Sequence, residues 1–175
     1  MGDGDALSIG GNHFIHASRR NIDMTAIIMN NCIYGMTGGQ FSPLTPFGKK
    51  ATTAPAGTID HAFDTVKLAT GAGASFVART TTYHVMEMVN IFREAIIHKG
   101  FAVVEVLSQC PTYYGRKNKL GSAVDMMKTF KEGTAKIGSK KKEENPDLIE
   151  RGVFVKEKRF EYTSDYKTLV EQLHK

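Results

Sequence analysis

The 175-residue sequence predicts an α/β domain built on a mostly parallel sheet flanked by helices, and three observations carry that expectation. Three short apolar runs, at 24–29, 75–78 and 101–107, have the near-continuous character of strands buried on both faces of a parallel sheet. Segments with helical spacing lie between them. A long stretch rich in glycine and proline leaves the end of the first run, where open α/β sheets place their ligands.

In chain order, Met1-Gly2-Asp3-Gly4-Asp5 is turn chemistry with no strand ahead of it, so the sheet is expected to be incomplete at the N-terminus and the chain to be N-terminally truncated. A helix is expected over 6–20, then the strand 24–29. Residues 34–58 carry five glycines and three prolines without an apolar period, and are read as a functional loop. A helix over 61–70 brings in Phe63, Val66, Leu68 and Ala69 and ends at Gly71-Ala72-Gly73. The clearest helix has Val85, Met88, Val89, Phe92 and Ile96 on one face, with Thr82 as its expected N-cap and Gly100 just past its end. Residues 1–115 are read as one α/β domain. Residues 116–175 are read as a helical, basic C-terminal extension, with helical patterns around Val124, Met127 and Phe130 and over 165–173.

Composition narrows the function classes. The net charge of +5 sits wholly in the last third: residues 1–115 hold 8 Lys+Arg against 8 Asp+Glu, and residues 116–175 hold 15 against 10. Because Lys140, Lys141 and Lys142 run straight into Glu143 and Glu144 with few aromatics nearby, a solvated or partner-facing tail is expected rather than a nucleic-acid surface. No apolar stretch approaches the ~20 residues that span a bilayer, and no signal region opens the chain, so no membrane association and a cytoplasmic location are expected. The two cysteines, Cys32 and Cys110, are read as reduced thiols.

The motif that carries chemistry is Gly2-Asp3-Gly4, followed after 25 intervening residues by Asn30-Asn31. Magnesium takes about six oxygen ligands in octahedral geometry, only a few of them from protein. Asp3 can give a carboxylate, Asn31 an amide oxygen, and Ile33 a backbone carbonyl. Glycines beside Asp3 let backbone approach a diphosphate, and a following helix would direct its N–H groups at the same anion. One helix and one strand would bring the two halves to the same sheet edge. Competing motifs fail: Leu7 stands where a dinucleotide fingerprint needs glycine, and Phe14 where a calcium loop starting at Asp3 needs glutamate. His13 and His16, at helical spacing without a supporting carboxylate or thiol, are read as packing or partner contacts.

This arrangement resembles the thiamine-diphosphate signature. The longer blocks Asn31-Cys32-Ile33-Tyr34-Gly35-Met36-Thr37-Gly38-Gly39-Gln40, Gly10-Gly11-Asn12-His13, Ala51-Thr52-Thr53-Ala54-Pro55 and Ser108-Gln109-Cys110-Pro111-Thr112 resemble the β subunit of the 2-oxoacid:ferredoxin oxidoreductases. The resemblance covers Gly2 to about Arg116, with Thr37-Gly38-Gly39-Gln40 its most specific part, and the overall look is that of the 2-oxoglutarate type.

The resemblance implies a thiamine-diphosphate-binding fold, with Asp3, Asn31 and the Ile33 carbonyl on Mg2+. It places Gly2, Gly4, Asp5, Tyr34, Gly35, Met36 and Thr37 along the diphosphate, with Met36 or Thr37 nearest the reacting end. It implies no catalytic base here, because the activating glutamate comes from the partner subunit. The implied activity is oxidative decarboxylation of a 2-oxoacid with acyl transfer to coenzyme A and electron transfer to ferredoxin or flavodoxin, in a complex with an α subunit and small γ and δ subunits. Cys110 is implied as one ligand of a [4Fe-4S] cluster whose other ligands this chain lacks, so the chain alone is expected to be inactive. Pyruvate or branched-chain 2-oxoacids, and a non-catalytic assembly role for the same fold, stand as the alternatives.

Overall fold

The computed structural model describes residues 1–174. A π-helical turn, Asp5–Ile9, runs into helix α1, Gly11–Arg20, which ends on Asn21 in the left-handed conformation. Strand β1, Met24–Asn30, follows. Residues 31–64 form an irregular loop before α2, Thr65–Gly71, whose N-cap Asp64 accepts from the N–H groups of Val66 and Lys67. The sheet continues with β2, Phe76–Thr81; helix α3, Val85–Ile97; and β3, Phe101–Leu107. After a second π-helical turn, Pro111–Gly115, come α4, Ala123–Glu132; β4, Thr134–Lys136; α5, Lys140–Glu144; β5, Ile149–Lys156; and α6, Tyr162–Leu173.

The sheet order is β1-β3-β2-β5-β4. The first three strands are parallel, β5 is antiparallel to β2, and β4 is parallel to β5. Strand β3 sits between two neighbours and is buried along its whole length, which is why its sequence is apolar at nearly every position. Its residues alternate between layers. Phe101 and Val103 pack with Leu7, Phe14, Ile28 and Val66, while Ala102, Val104 and Val106 pack with Phe76, Ile91 and Ala95. Helices α1 and α2 therefore cover one face and α3 the other, as an α/β layer architecture requires.

The structure departs from the sequence expectation in three places. Thr82 does not cap α3: His84 occupies the N-cap position, and the Thr82 hydroxyl donates instead to Gln109 Oε1 at 2.9 Å. The second helix starts at Thr65 rather than at 61, because the Asp64 carboxylate supplies the cap. The last third is not wholly helical. Strand β5 pairs with β2, and its pattern escapes a search for alternation because Phe154 and Val155 both pack against the core, Phe154 being the extra, bulged residue opposite Val77 and Ala78 of β2.

Candidate cofactor site

The C-terminal ends of β1, β2 and β3 open onto one side of the sheet, the position where parallel α/β sheets bind ligands. Residues Met1 and Gly2 lie beside β1, with the Met29 N–H donating to the Met1 carbonyl at 2.9 Å and Gly2 bridged to Met29 in parallel. This pairing delivers Asp3 to the end of β1. Asn31 and Ile33 arrive from the other direction, immediately past Asn30.

A cavity of about 700 Å³ lies there, lined by Gly2, Asp3, Gly4, Asp5, Asn31 and Ile33 together with Tyr34, Gly35, Met36 and Thr37. All ten residues singled out from the sequence thus meet on one surface, and Cys110 lies on the same wall. The volume suits a cofactor-sized molecule. Sequence reasoning did not assign Gln109, Pro111, Thr112 and Tyr113, which also line it. Proline opening a turn past the end of a parallel strand was the available signal for that wall.

Asp3 is 2% exposed, and no Lys, Arg or His among the described residues pairs with it. Burial pushes its carboxyl up to about 6, opposed by the Ser42 hydroxyl and by the N–H groups of Asp3 and Gly4, with Asp5 adding a small repulsion. The Ser42 hydroxyl donates to Asp3 Oδ2 at 2.5 Å. A buried carboxylate without a counter-charge is costly unless an ion joins it.

The turn at 31–33 supplies matching oxygens. Asn31 Oδ1 accepts from the Ile33 N–H at 3.3 Å, and the Ile33 carbonyl accepts no hydrogen bond from the described residues. The Cys32 carbonyl is by contrast taken by Thr45 Oγ1 at 2.7 Å. Cys32 has φ of +62°, a conformation that costs a non-glycine residue about 1–2 kcal/mol and here reverses the chain so that residue 33 faces the cavity. A buried carboxylate without a counter-charge, an amide oxygen and an orphan carbonyl around one cavity form the all-oxygen donor set that Mg2+ prefers. The residues present therefore fit a diphosphate-bound magnesium ion.

The Thr37-Gly38-Gly39-Gln40 segment is a tight reversal. The Tyr34 N–H donates to the Gln40 carbonyl at 2.9 Å and the Gly39 N–H to the Tyr34 carbonyl at 2.8 Å, while Gln40 Nε2 folds back to the Thr37 carbonyl at 2.8 Å. Gly39 has φ of +88°, and a Cβ there would lie 2.7 Å from the Tyr113 ring. Gly4 is equally constrained, since a Cβ on it would strike the Tyr34 ring. Met36 stands fully exposed at the tip of the reversal, at the cavity mouth.

The residues present do not build an iron–sulfur site. Cys110 and Cys32 are this chain's two cysteines, and no group of three or more His, Cys, Asp or Glu among the described residues could hold a metal. Burial pushes the Cys32 thiol up to about 12, with the nearby Asp3 and Glu105 carboxylates adding to the shift.

A parallel sheet whose strand ends carry a glycine-flanked aspartate and an asparagine turn around one cavity has the architecture of a cofactor-binding α/β domain. Residues 1–106 match the family described as thiamine pyrophosphate enzyme, C-terminal TPP binding domain, and the chain belongs to this family. It is 50% identical over 175 aligned residues to the 2-oxoglutarate synthase subunit KorB of Methanocaldococcus jannaschii, covering 98% of this chain and 65% of that protein. It is also 50% identical over 112 residues to the 2-oxoglutarate oxidoreductase subunit KorB of Mycobacterium tuberculosis, covering 64% of this chain and 30% of that protein. Among solved structures, the 2-oxoglutarate:ferredoxin oxidoreductase from Magnetococcus marinus with 2-oxoglutarate, coenzyme A and succinyl-CoA bound superposes with a TM-score of 0.86. That match is 27% identical in sequence and covers 99% of this chain and 60% of that one. The chain thus spans about two thirds or less of the relatives it matches.

Proposed function

We propose that this chain is the thiamine-diphosphate-binding portion of the β subunit of a 2-oxoglutarate:ferredoxin oxidoreductase. The observation that carries the reading is the convergence of Asp3, Asn31 and the Ile33 carbonyl on one cavity, backed by the Thr37-Gly38-Gly39-Gln40 reversal. Similarity to two KorB subunits and to the Magnetococcus marinus enzyme supports the 2-oxoglutarate type over pyruvate or branched-chain 2-oxoacids.

When bound, thiamine diphosphate supplies the electron sink for decarboxylation of a 2-oxoacid. The chain's own residues bind and orient. Asp3, Asn31 and Ile33 hold magnesium; Gly2, Gly4 and Asp5 border the diphosphate with backbone close by; Tyr34, Gly35, Met36 and Thr37 form the wall toward the reacting end. Ser42 anchors Asp3 from behind, and Tyr34 packs over Gly4. No general base is assigned to this chain. The α subunit, with γ and δ subunits where present, completes the site, coenzyme A accepts the acyl group, and ferredoxin or flavodoxin takes the electrons. In the complete subunit Cys110 would give one thiolate to a [4Fe-4S] cluster, since the two cysteines of this chain are too few to hold one.

Residues 1–115 form the cofactor-binding unit, and residues 116–175 an extension whose β5 completes the sheet. Among the described residues no helix is long and apolar enough to cross a membrane; a cytoplasmic location is part of the proposal. The test is reconstitution of the α subunit with a complete β subunit that contains this chain: viologen reduction should require 2-oxoglutarate, coenzyme A, thiamine diphosphate and Mg2+ together. Full activity without thiamine diphosphate, or preference for pyruvate, would overturn the corresponding part of the reading.

A further inference from the structure

Behind the cofactor cavity lies a set of buried polar groups that touch neither metal nor diphosphate positions. Glu105 is on the central strand β3 and is 2% exposed, a place where a carboxylate persists only when fully paired. Its Oε2 accepts from Arg79 Nε at 2.5 Å, and its Oε1 accepts from Asn30 Nδ2 and from Thr65 Oγ1, each at 2.8 Å. Arg79 donates its Nη2 to Asp64 Oδ1 at 2.8 Å. Asn30 is the last residue of β1, and Asp64 caps the start of α2. The whole irregular loop 31–64, with the metal-binding turn and the Ser42 and Thr45 anchors, lies between these two points.

We infer that the buried Glu105–Arg79 pair is a staple that grips both ends of this loop and fixes the metal-binding turn, making Glu105, Arg79 and Asn30 positioning residues for the cofactor site; the inference rests on the cofactor reading above. The chemistry of the acceptor sets the orientation of Asn30. An ionised carboxylate only accepts, so Glu105 forces the Asn30 amide to present its NH2 inward. Asn30 Oδ1 must then face outward, where it accepts from the Cys32 N–H at 3.1 Å. Cys32 is the residue with positive φ, and its carbonyl is fixed on the other side by Thr45. Removing the carboxylate frees the amide to rotate, and the strained turn loses the contact that holds it. A leucine at 105 could fill the space and stabilise the sheet, but it could not orient Asn30.

The test uses Glu105→Gln and the milder Thr65→Val in the full chain, with two readouts. Hydrogen exchange without any ligand should speed up about tenfold at the Cys32, Ile33 and Thr45 amides in Glu105→Gln, while the Val103 and Val104 amides of β3 keep their protection. Calorimetric titration of thiamine diphosphate at saturating Mg2+ should show about tenfold weaker binding at unchanged stoichiometry. Thr65→Val, which keeps the ion pair, should show the same selective exchange to a smaller degree, and it decides the matter if Glu105→Gln fails to fold. Loop amides exchanging at the wild-type rate, or loop and β3 amides accelerating by one common factor, would overturn the staple. If the wild-type chain takes up no thiamine diphosphate either alone or with the α subunit while the loop amides respond as stated, the cofactor reading falls and the staple stands.

Discussion

Replacing Ser42 with alanine isolates the anchor beneath Asp3. The hydroxyl donates to the buried Asp3 carboxylate at 2.5 Å and accepts from the Leu44 N–H at 3.2 Å, and both Ser42 and Asp3 are 2% exposed. A hydrogen bond to a charged group contributes about 1.5–3 kcal/mol and a neutral one about 0.5–1.5 kcal/mol, so Ser42→Ala should cost about 2–4 kcal/mol. With a urea slope of about 2 kcal/mol/M, the unfolding midpoint of the cofactor-free chain should fall by about 1–2 M with the slope unchanged. Far-UV circular dichroism in urea at pH 8 measures this. Ser139→Ala is the matched control, because the Ser139 hydroxyl is buried without a hydrogen-bond partner among the described residues and its removal should leave the midpoint in place. A Ser42→Ala midpoint indistinguishable from wild type would refute the claim that the 42–45 turn holds the aspartate.

Gly39→Ala should cost about 2–4 kcal/mol, combining the strain of a side chain at φ +88° with a Cβ 2.7 Å from the Tyr113 ring; a thermal melt that does not move would contradict the packing of the reversal against the Pro111–Gly115 turn. Alkylation at pH 8 should label Cys110, which opens on the cavity, and spare Cys32, whose thiol burial pushes up to about 12; mass spectrometry showing Cys32 labelled first would contradict this. Glu161 accepts from the N–H groups of Thr163 and Ser164 at the start of α6, which together hold its carboxyl down to about 2 from the ordinary 4.5. Its support of α6 is therefore complete above pH 4.5 and is lost as pH falls through the folded value of about 2. Amide protection in α6 should decline over that window in the wild type and stay flat in Glu161→Gln, and a wild-type profile without pH dependence would contradict the cap.

Much of the fold was legible because its central strands are buried on both faces, and such strands announce themselves as short apolar runs. The periodic face of α3 was equally plain, yet its cap was misplaced. Thr81, Thr82 and His84 compete locally, and the tertiary contact of Thr82 with Gln109 settles which one caps. Strand β5 stayed hidden because a strand carrying Lys156, Arg151 and Glu150 looks like a charged tail until its neighbour β2 is known. At the site, residues close in sequence to the glycine and asparagine motifs were readable. Ser42, Thr45 and Glu105 were not, since each acts across 10 or more residues of chain on another group, and a lone serine in a loop or a lone glutamate in an apolar strand carries no local signal. Glu105 was nonetheless the odd residue in an otherwise apolar run, and a charge in such a place asks for a partner.

The central claim is that one divalent ion sits among Asp3, Asn31 and Ile33. Crystals grown with thiamine diphosphate and Mn2+ in place of Mg2+ test it through the anomalous signal of manganese. The account predicts a single strong peak within coordination distance of an Asp3 carboxylate oxygen, Asn31 Oδ1 and the Ile33 carbonyl. A peak elsewhere on the chain, or a bound diphosphate with no ion beside Asp3, would contradict it.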